Sequence, residues 1–493
     1  MDALSSFIGA GFEIKCPVVW RKYSFLVNLN LKPELTKSTT FAKLYSKSFL
    51  YQMQNNKLKI LTLITLPRSL LFYQLLRQGT MLLIAILLAK SSLGTAAIGQ
   101  YEQVWFMGGA LSFFWMIGLQ QGLLNYYPRL EVKAQSQLLA LAVTVYFMIS
   151  GILLGALSLF PSVFLAVFSG QTSLPFASIA LLFLFFYLPT LLTDTLYVLL
   201  KKPVELFGYG ILSFGAQLLV VLLPAFWGWT AGAIVLGLMW LSLVKALWLI
   251  ALAFRFGQWN WEWLHLKSWW NASFYLMVYS AIGGYITVFN AWIVNWYYAG
   301  NELQFALFRY GARELPVSLA LVGGLNALIL QKAATDLQGT MPEIRQRSTR
   351  LMHFLMPFTI LLLLSSRWWF PALFNADFLA SLPVFNTFLL LVISRVVFSF
   401  PILNALQDKR ITLIGACSEA AFNVIACFVL VPICGLLGIA LANFLAYGLE
   451  KLIYGIHLSR RYGIAVNAYL NVPVWGLYSL LLILAWLFQI KYG

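Results

Sequence analysis

Four arginines fall inside long apolar runs of this chain: Arg77, Arg309, Arg313 and Arg395. Arg77 lies about nine residues into the first such run, beyond the turn or two from which an arginine ordinarily snorkels to the surface. A guanidinium at membrane depth costs several kcal/mol unless it faces a bundle interior, a partner or a wet cavity. Its planar fork of donors suits carboxylate and phosphate oxygens, so an internal cationic space points to anionic cargo. Gln74 and Gln78 flank Arg77 and extend a polar stripe along the same segment. Arg309 and Arg313 are one helical turn apart, and Glu314 beside them is placed to neutralise one of the two. These six residues, Gln74, Arg77, Gln78, Arg309, Arg313 and Arg395, form the candidate cargo-binding set.

Embedded acids form a second set. Glu419, about eight residues into its run, is a candidate for proton or sodium coupling. Glu102 and Arg309 hold near-equivalent places in the two halves of the chain and are expected to face each other as a gate pair. Asp194 lies close to Lys201, where a structural ion pair is the expectation. Embedded bases (Arg77, Lys245, Arg309, Arg313, Arg395) outnumber embedded acids (Asp194, Glu314, Glu419), a bias against cationic cargo that counting Glu102 narrows. The three histidines are far apart, the four cysteines form no CxxC pair, and no Walker-type phosphate loop occurs. Neither a metal site, a cofactor nor a catalytic group is expected.

The elements that must hold these residues are membrane helices. The 493 residues are 61% hydrophobic and only 10% charged, with a mean hydropathy of +0.82. That composition belongs to a polytopic membrane protein. Apolar runs of about 20 residues, the length needed to cross a bilayer, are read at 68–90, 101–126, 136–160, 176–200, 206–226, 231–254, 272–298, 303–331, 351–366, 383–406, 411–431 and 436–458. A thirteenth is read near 470–490. Residues 1–60 are basic and mixed, expected as a cytoplasmic tail on anionic lipid or as an over-long start before Met53.

The net charge of +17 sits in short loops, which argues for orientation signals rather than nucleic-acid binding. One alternate set of loops holds Arg129, Lys133, Lys201, Lys202, Arg255, Lys267, Lys332, Arg345, Arg347, Arg350, Lys409, Arg410, Arg460 and Arg461. The other set has almost no Lys or Arg beyond Lys90 and Arg367. The excess of positive charge puts the first set, and the N-terminus, in the cytoplasm. The halves also repeat. Lys202 to Arg410 and Pro224 to Pro432 are both separated by 208 positions, and Gly99-Gln100-Tyr101 aligns with Ala306-Leu307-Phe308 at a similar offset. Two six-helix units of the same orientation suit an alternating-access transporter. The expected division is 61–260 and 261–462, with 463–493 as an additional membrane helix.

Arg77 with Leu87-Leu88-Ala89-Lys90, Leu93-Gly94 and Gly99-Gln100-Tyr101, followed much later by Leu403-Asn404-Ala405-Leu406, Lys409-Arg410, Val431-Pro432, Gly435 and Gly438-Ile439-Ala440, resembles the multidrug/oligosaccharidyl-lipid/polysaccharide exporter superfamily. Within it the chain looks most like O-antigen-type polysaccharide flippases. The resemblance spans about residues 68–458. It implies an all-α polytopic fold of twelve to thirteen helices, with two pseudo-symmetric six-helix lobes in a V around a central cavity. The implied cargo is a polyprenyl-diphosphate-linked, anionic oligosaccharide, carried across a bacterial cytoplasmic membrane for surface polysaccharide synthesis. Glycosyltransferases and a glycan polymerase are the implied partners, beside the membrane lipids. One departure matters: Asn290 and Asn295 stand where some members carry an acid near the end of the seventh helix, so ion coupling by H+ or Na+ does not carry over there. A multidrug cation exporter on the same fold competes with this reading. A membrane polysaccharide polymerase or ligase is a further alternative, disfavoured because the expected extracytoplasmic loops near 161–175 and 367–382 are short and apolar.

The charge pattern has a direct test. In a background with the four native cysteines replaced, Lys133→Cys should resist an impermeant thiol reagent in intact cells, and react after permeabilisation. Labelling in intact cells would reverse the topology.

Overall fold

The computed structural model describes residues 65–492, except 163–165, 167–175, 261, 315 and 334–335. The expectations for residues 1–60 lie outside the described residues. Eleven helices among those described are long and apolar enough to cross a membrane.

The first half holds α1 (Leu66–Ala89), α2 (Thr95–Ser112), α3 (Met116–Tyr126), α4 (Val132–Leu159), α5 (Ala177–Thr190), α6 (Thr193–Leu199), α7 (Pro203–Phe226) and α8 (Ala231–Phe256). The second half holds α9 (Trp263–Tyr297), α10 (Glu302–Gly311), α11 (Pro316–Ala333), α12 (Leu337–Phe374), α13 (Leu382–Leu389), α14 (Val392–Arg395), α15 (Ser399–Ala405), α16 (Lys409–Cys434) and α17 (Leu436–Tyr462). Two further helices, α18 (Val466–Tyr469) and α19 (Val472–Tyr492), follow.

The repeat extends to the irregularities. The second crossing of each half is broken, between α2 and α3 and again between α10 and α11. The fourth is also broken, between α5 and α6 and again through α13, α14 and α15. Interrupted helices at membrane depth are tolerated where protein, rather than lipid, surrounds the freed backbone groups. Leu390, Leu391 and Val392 at the second of these breaks are accordingly buried.

One expected length differs, and one expected span is present. The span expected at 351–366 is part of a helix of 38 residues. Hydropathy marks only its apolar part; the polar stretch before it, capped by the Asp336 side chain accepting from the Gly339 N–H, continues the same helix outside the apolar region. The segment near 470–490 is a full apolar helix, α19, held to α12 and to the α13–α14 region by Gln489 Nε2 donating to Leu364 O (2.7 Å), Trp486 Nε1 to Thr387 Oγ1 (2.9 Å) and Trp475 Nε1 to Ile393 O (2.9 Å).

A loop anchor precedes α16. Asp408 accepts from the Ile411 N–H at the helix start (3.4 Å) and from the Tyr462 hydroxyl (2.9 Å), and its Oδ2 lies 2.9 Å from His457 Nε2. Burial acts to raise the Asp408 pKa, but the hydrogen bonds from His457 and Tyr462 outweigh it and hold the carboxyl below its ordinary value. A depressed carboxyl stabilises the fold above the unfolded-state pKa and loses that contribution as pH falls through the lowered value.

The halves meet along a seam of small residues and polar side chains. On α2, Gly99 packs so closely that a β-carbon would collide with the carbonyl of Glu302. On α3, Gly118 and Gly122 do the same against Met277 and Ser273 of α9. Close backbone approach through small residues is how membrane helices associate when lipid supplies no hydrophobic contrast. Trp269 Nε1 donates to Leu119 O at 3.2 Å, and the Tyr310 hydroxyl to Ala85 O at 2.9 Å, so both α9 and α10 are tied to the first half. The second part of α9 instead packs on α16, with Trp296 against Phe428 at 5.5 Å.

Gly99→Val should therefore lower the melting temperature of the detergent-purified protein, since overpacking costs about 1–3 kcal/mol. Gly109→Val on the same helix, where a β-carbon meets nothing within 4 Å, should leave it unchanged. Equal melting of both variants would mean that the halves do not touch at Gly99.

Candidate functional site

Glu102 is the polar centre of the seam. It is 5% exposed on α2, about 10 Å along the helix from its start. Its Oε2 accepts from Arg309 Nε at 3.1 Å and its Oε1 from Arg313 Nη2 at 2.8 Å. One carboxylate of the first half thus holds two guanidiniums of the second. The Arg313 guanidinium also lies 4.9 Å over the Tyr310 ring. Around this centre, Gln100 Nε2 donates to Glu302 Oε1 (2.8 Å), and Gln103 Nε2 to Asn295 Oδ1 (3.2 Å) and Gly300 O (3.3 Å). The Glu102–Arg309 juxtaposition expected from the repeat is present, and Arg313 joins it.

A cavity of about 490 Å³ opens beside the seam within the second half. Arg309 lines it from α10 and Arg395 from α14, with Glu314, Glu419 of α16, Asn290 and Thr287 of α9, and Asn443 and Tyr447 of α17. A smaller space of about 240 Å³ shares Arg395, Glu419 and Tyr447 and adds Asn326, Glu450 and Lys451. Arg395 is bound to Glu314, and Lys451 to Glu450 at 2.6 Å. Among the described residues, the Glu419 carboxylate makes no hydrogen bond or ion pair; it faces both spaces.

The arginines are distributed differently from the sequence expectation of one shared cationic space. Arg309 and Arg395 line the cavity. Arg313 belongs to the seam and to a narrow gap shared with Glu314 and Arg395. Arg77 lies in the first half on the buried stripe of α1 that includes Tyr73 and Thr80, within electrostatic range of Asp194 and Tyr187. No hydrogen bond or ion pair engages its guanidinium among the described residues. Gln74 and Gln78 are exposed on the neighbouring face of α1. Three of the four arginines are ion-paired with carboxylates remote in sequence, Arg309 and Arg313 sharing one. The cavity of about 490 Å³ is lined by two arginines and two glutamates, so it is charge-balanced rather than cationic.

Other expectations are redirected. Glu314 pairs with Arg395 and not with Arg309 or Arg313, because the break after α10 carries it away from that helix face. Asp194 accepts from the Thr195 N–H at 2.8 Å and faces Arg77; Lys201 is not its partner. Lys245 stands 5.8 Å over the Phe214 ring. Asn290 faces the cavity, whereas Asn295 lies in the seam beside Gln103. Sequence reading passed over Gln103, Asn443 and the Glu450–Lys451 pair. A polar residue at helical spacing within an apolar run was the available signal for each. Among the described residues, no group of three His, Cys, Asp or Glu side chains is placed to hold a metal ion.

No protein-family model and no curated protein sequence matches the chain. Solved structures do. The lipid II flippase MurJ, in an inward closed conformation, superposes with a TM-score of 0.65 at 15% identity, covering 87% of this chain and 93% of that one. An inward-facing multidrug resistance MATE family transporter of the MOP superfamily gives 0.56 at 13% identity, covering 78% and 94%. At these identities the likeness is one of fold: the chain is a multi-pass membrane protein with the helical architecture of those transporters.

Removing one partner of a buried ion network leaves the others uncompensated and costs about 3–5 kcal/mol, whereas removing the whole network is often close to neutral. Glu102→Gln should therefore lower the melting temperature in detergent, and Glu102→Gln with Arg309→Gln and Arg313→Gln should recover most of the loss. A Glu102→Gln protein that melts like the wild type would show that this carboxylate does not hold the halves together.

Proposed function

We propose that the protein is an alternating-access flippase whose cargo is a lipid-linked, phosphate-bearing oligosaccharide, and that it works in the cytoplasmic membrane of a bacterium. The observation that carries this reading is that Arg309 is shared between the seam and the cavity. It closes the halves through Glu102 while its surroundings open to the space where cargo would sit. A phosphate or diphosphate arriving in the cavity offers oxygens equivalent to those of Glu102 and Glu314. Exchange of Arg309 from Glu102 to phosphate leaves Glu102 paired with Arg313 and loosens the contact between halves. Cargo binding would in this way favour the open seam by the difference in its affinity for the two states.

The solved lipid II flippase of the same fold supports a lipid-linked cargo. The head group would cross through protein while the hydrocarbon tail stays in the bilayer, because a diphosphate cannot pass about 30 Å of hydrocarbon unaided. Glycosyltransferases on the cytoplasmic side and a polymerase on the other would supply and consume such a molecule. Arg77, with Gln74 and Gln78, supplies the first half's share of the phosphate contacts; Arg309, Arg313 and Arg395 supply the second's. One observation favours a different cargo: Glu419 faces the cavity without a partner among the described residues, as a site for an organic cation or a coupling ion would require.

Arg77 discriminates between the two. Lacking an ion-pair partner, it can be replaced without orphaning a bound carboxylate, so Arg77→Ala should keep normal abundance. Losing a charge-assisted contact to phosphate should cut transport of lipid-linked oligosaccharide in proteoliposomes by roughly ten- to a hundredfold. Arg77→Lys keeps the charge without the fork and should lose less. Full oligosaccharide transport by Arg77→Ala, together with drug-cation efflux abolished by Glu419→Gln, would establish the cation exporter instead.

A further inference from the structure

The longest helix of the second half outruns the membrane. The 38 residues of α12 extend for about 57 Å, against about 30 Å of hydrocarbon. Its apolar run begins at Leu351, so residues 337–350 stand at head-group depth and beyond, on the face that carries the basic loops. There Arg345, Gln346, Thr349 and Arg350 of α12 line a cleft of about 590 Å³ closed on its other side by Ala468 and Asn471. The cleft is built rather than accidental. Ser348, fully buried, shares its hydroxyl proton between the carbonyls of Arg345 (3.1 Å) and Tyr469 (3.3 Å), and so sets α18 against α12. The 21-residue α19 begins immediately after Asn471, bringing the positive end of its dipole to the cleft's edge.

The charges at this place are unevenly satisfied. Glu343 takes both Lys332 and Arg347, each at 2.7 Å. Arg345 and Arg350 are exposed, and among the described residues their guanidiniums have no ion pair or hydrogen bond. Two forked donors therefore stand free around two amides and a hydroxyl, just outside the apolar run. Below Arg350, on its side of α12 and turned away from Arg345, the helix becomes apolar: Phe354, Phe358 and Leu361 follow Arg350 at helical spacing and are 49%, 37% and 67% exposed. A head-group cleft whose Arg350 edge is continued by an apolar stripe has the polarity profile of one lipid molecule standing in its leaflet.

We propose that this cleft binds the head group of an anionic glycerophospholipid, with its phosphate between Arg345 and Arg350 and an acyl chain along Phe354 and Phe358. Basic recesses between membrane helices on the positively charged side are suited to such head groups. The site lies on the outer wall of the second half and does not depend on the transport reading.

The test is native mass spectrometry of the full chain released from nanodiscs of mixed phosphatidylglycerol and phosphatidylcholine. The wild type should retain phosphatidylglycerol in preference. Arg345→Gln with Arg350→Gln should lower that retention by roughly tenfold or more, as loss of two charge-assisted contacts requires. Arg347→Gln, whose guanidinium is already committed to Glu343, should change it little. Were the double glutamine variant to misfold, Arg345→Lys with Arg350→Lys carries the same comparison with a smaller expected loss. Retention unchanged in the double variant, or lost equally in Arg347→Gln, would overturn the proposal. So would displacement of the lipid by millimolar inorganic diphosphate, which would make the cleft a site for a soluble anion.

Discussion

A carboxylate and two guanidiniums at membrane depth are far costlier apart than together. Glu102, Arg309 and Arg313 therefore constrain how the two halves of this protein can sit. None of the three can be left facing hydrocarbon, and none has its partner within its own half. The first half contributes the anion and the second the cations, so the ion network is also a dimer-like interface between repeats. Everything else at the seam follows from bringing α2 to α10 closely enough to form it. The approach requires a residue without a side chain at Gly99, and Gln100 and Gln103 then satisfy the polar groups around Glu302 and Asn295.

The same logic explains why helices are broken where they are. The second and fourth crossings of each half are interrupted, and these segments carry many of the embedded charges: α2 with Glu102, α10 with Arg309, the following turn with Arg313 and Glu314, α14 with Arg395, α6 with Asp194. A break redirects side chains that a continuous helix would hold on one face. Glu314, next in sequence to Arg313, pairs with Arg395 instead. Because the interruptions recur in both halves, they belong to the repeated unit itself.

Charge balance gives the cavity a different character from a simple anion trap. Its arginines are already ion-paired, so in the proposed function a ligand would compete with Glu102 and Glu314 to reach them. Such competition would tie binding to rearrangement, because the carboxylate paired with Arg309 belongs to the opposite half. Arg77 differs. It stands near Asp194 without a direct pair, and keeps its donors available.

The sequence alone determined the class of the molecule, its order of crossings and its internal repeat. Each of these rests on one-dimensional quantities: apolar runs of bilayer length, alternating loop charge and a constant offset between landmarks. It also identified Arg77, Arg309, Arg313, Arg395, Glu102 and Glu419 as the groups whose burial demands an explanation, because charge within an apolar run is visible without coordinates. Most of the pairing was not visible in that way. The repeat set Glu102 against Arg309, but nothing along the chain brings Arg313 to the same carboxylate or Glu314 to Arg395. The sequence likewise marked 351–366 as a span but could not show that the helix continues past the apolar region, since hydropathy reports lipid contact and not backbone hydrogen bonding. Only the tertiary structure decided that Arg313 shares Glu102 and that Glu314 meets Arg395, and so turned an apparently cationic cavity into a balanced one. The physical reason is that partner choice depends on helix packing and on breaks that rotate one face away from the next.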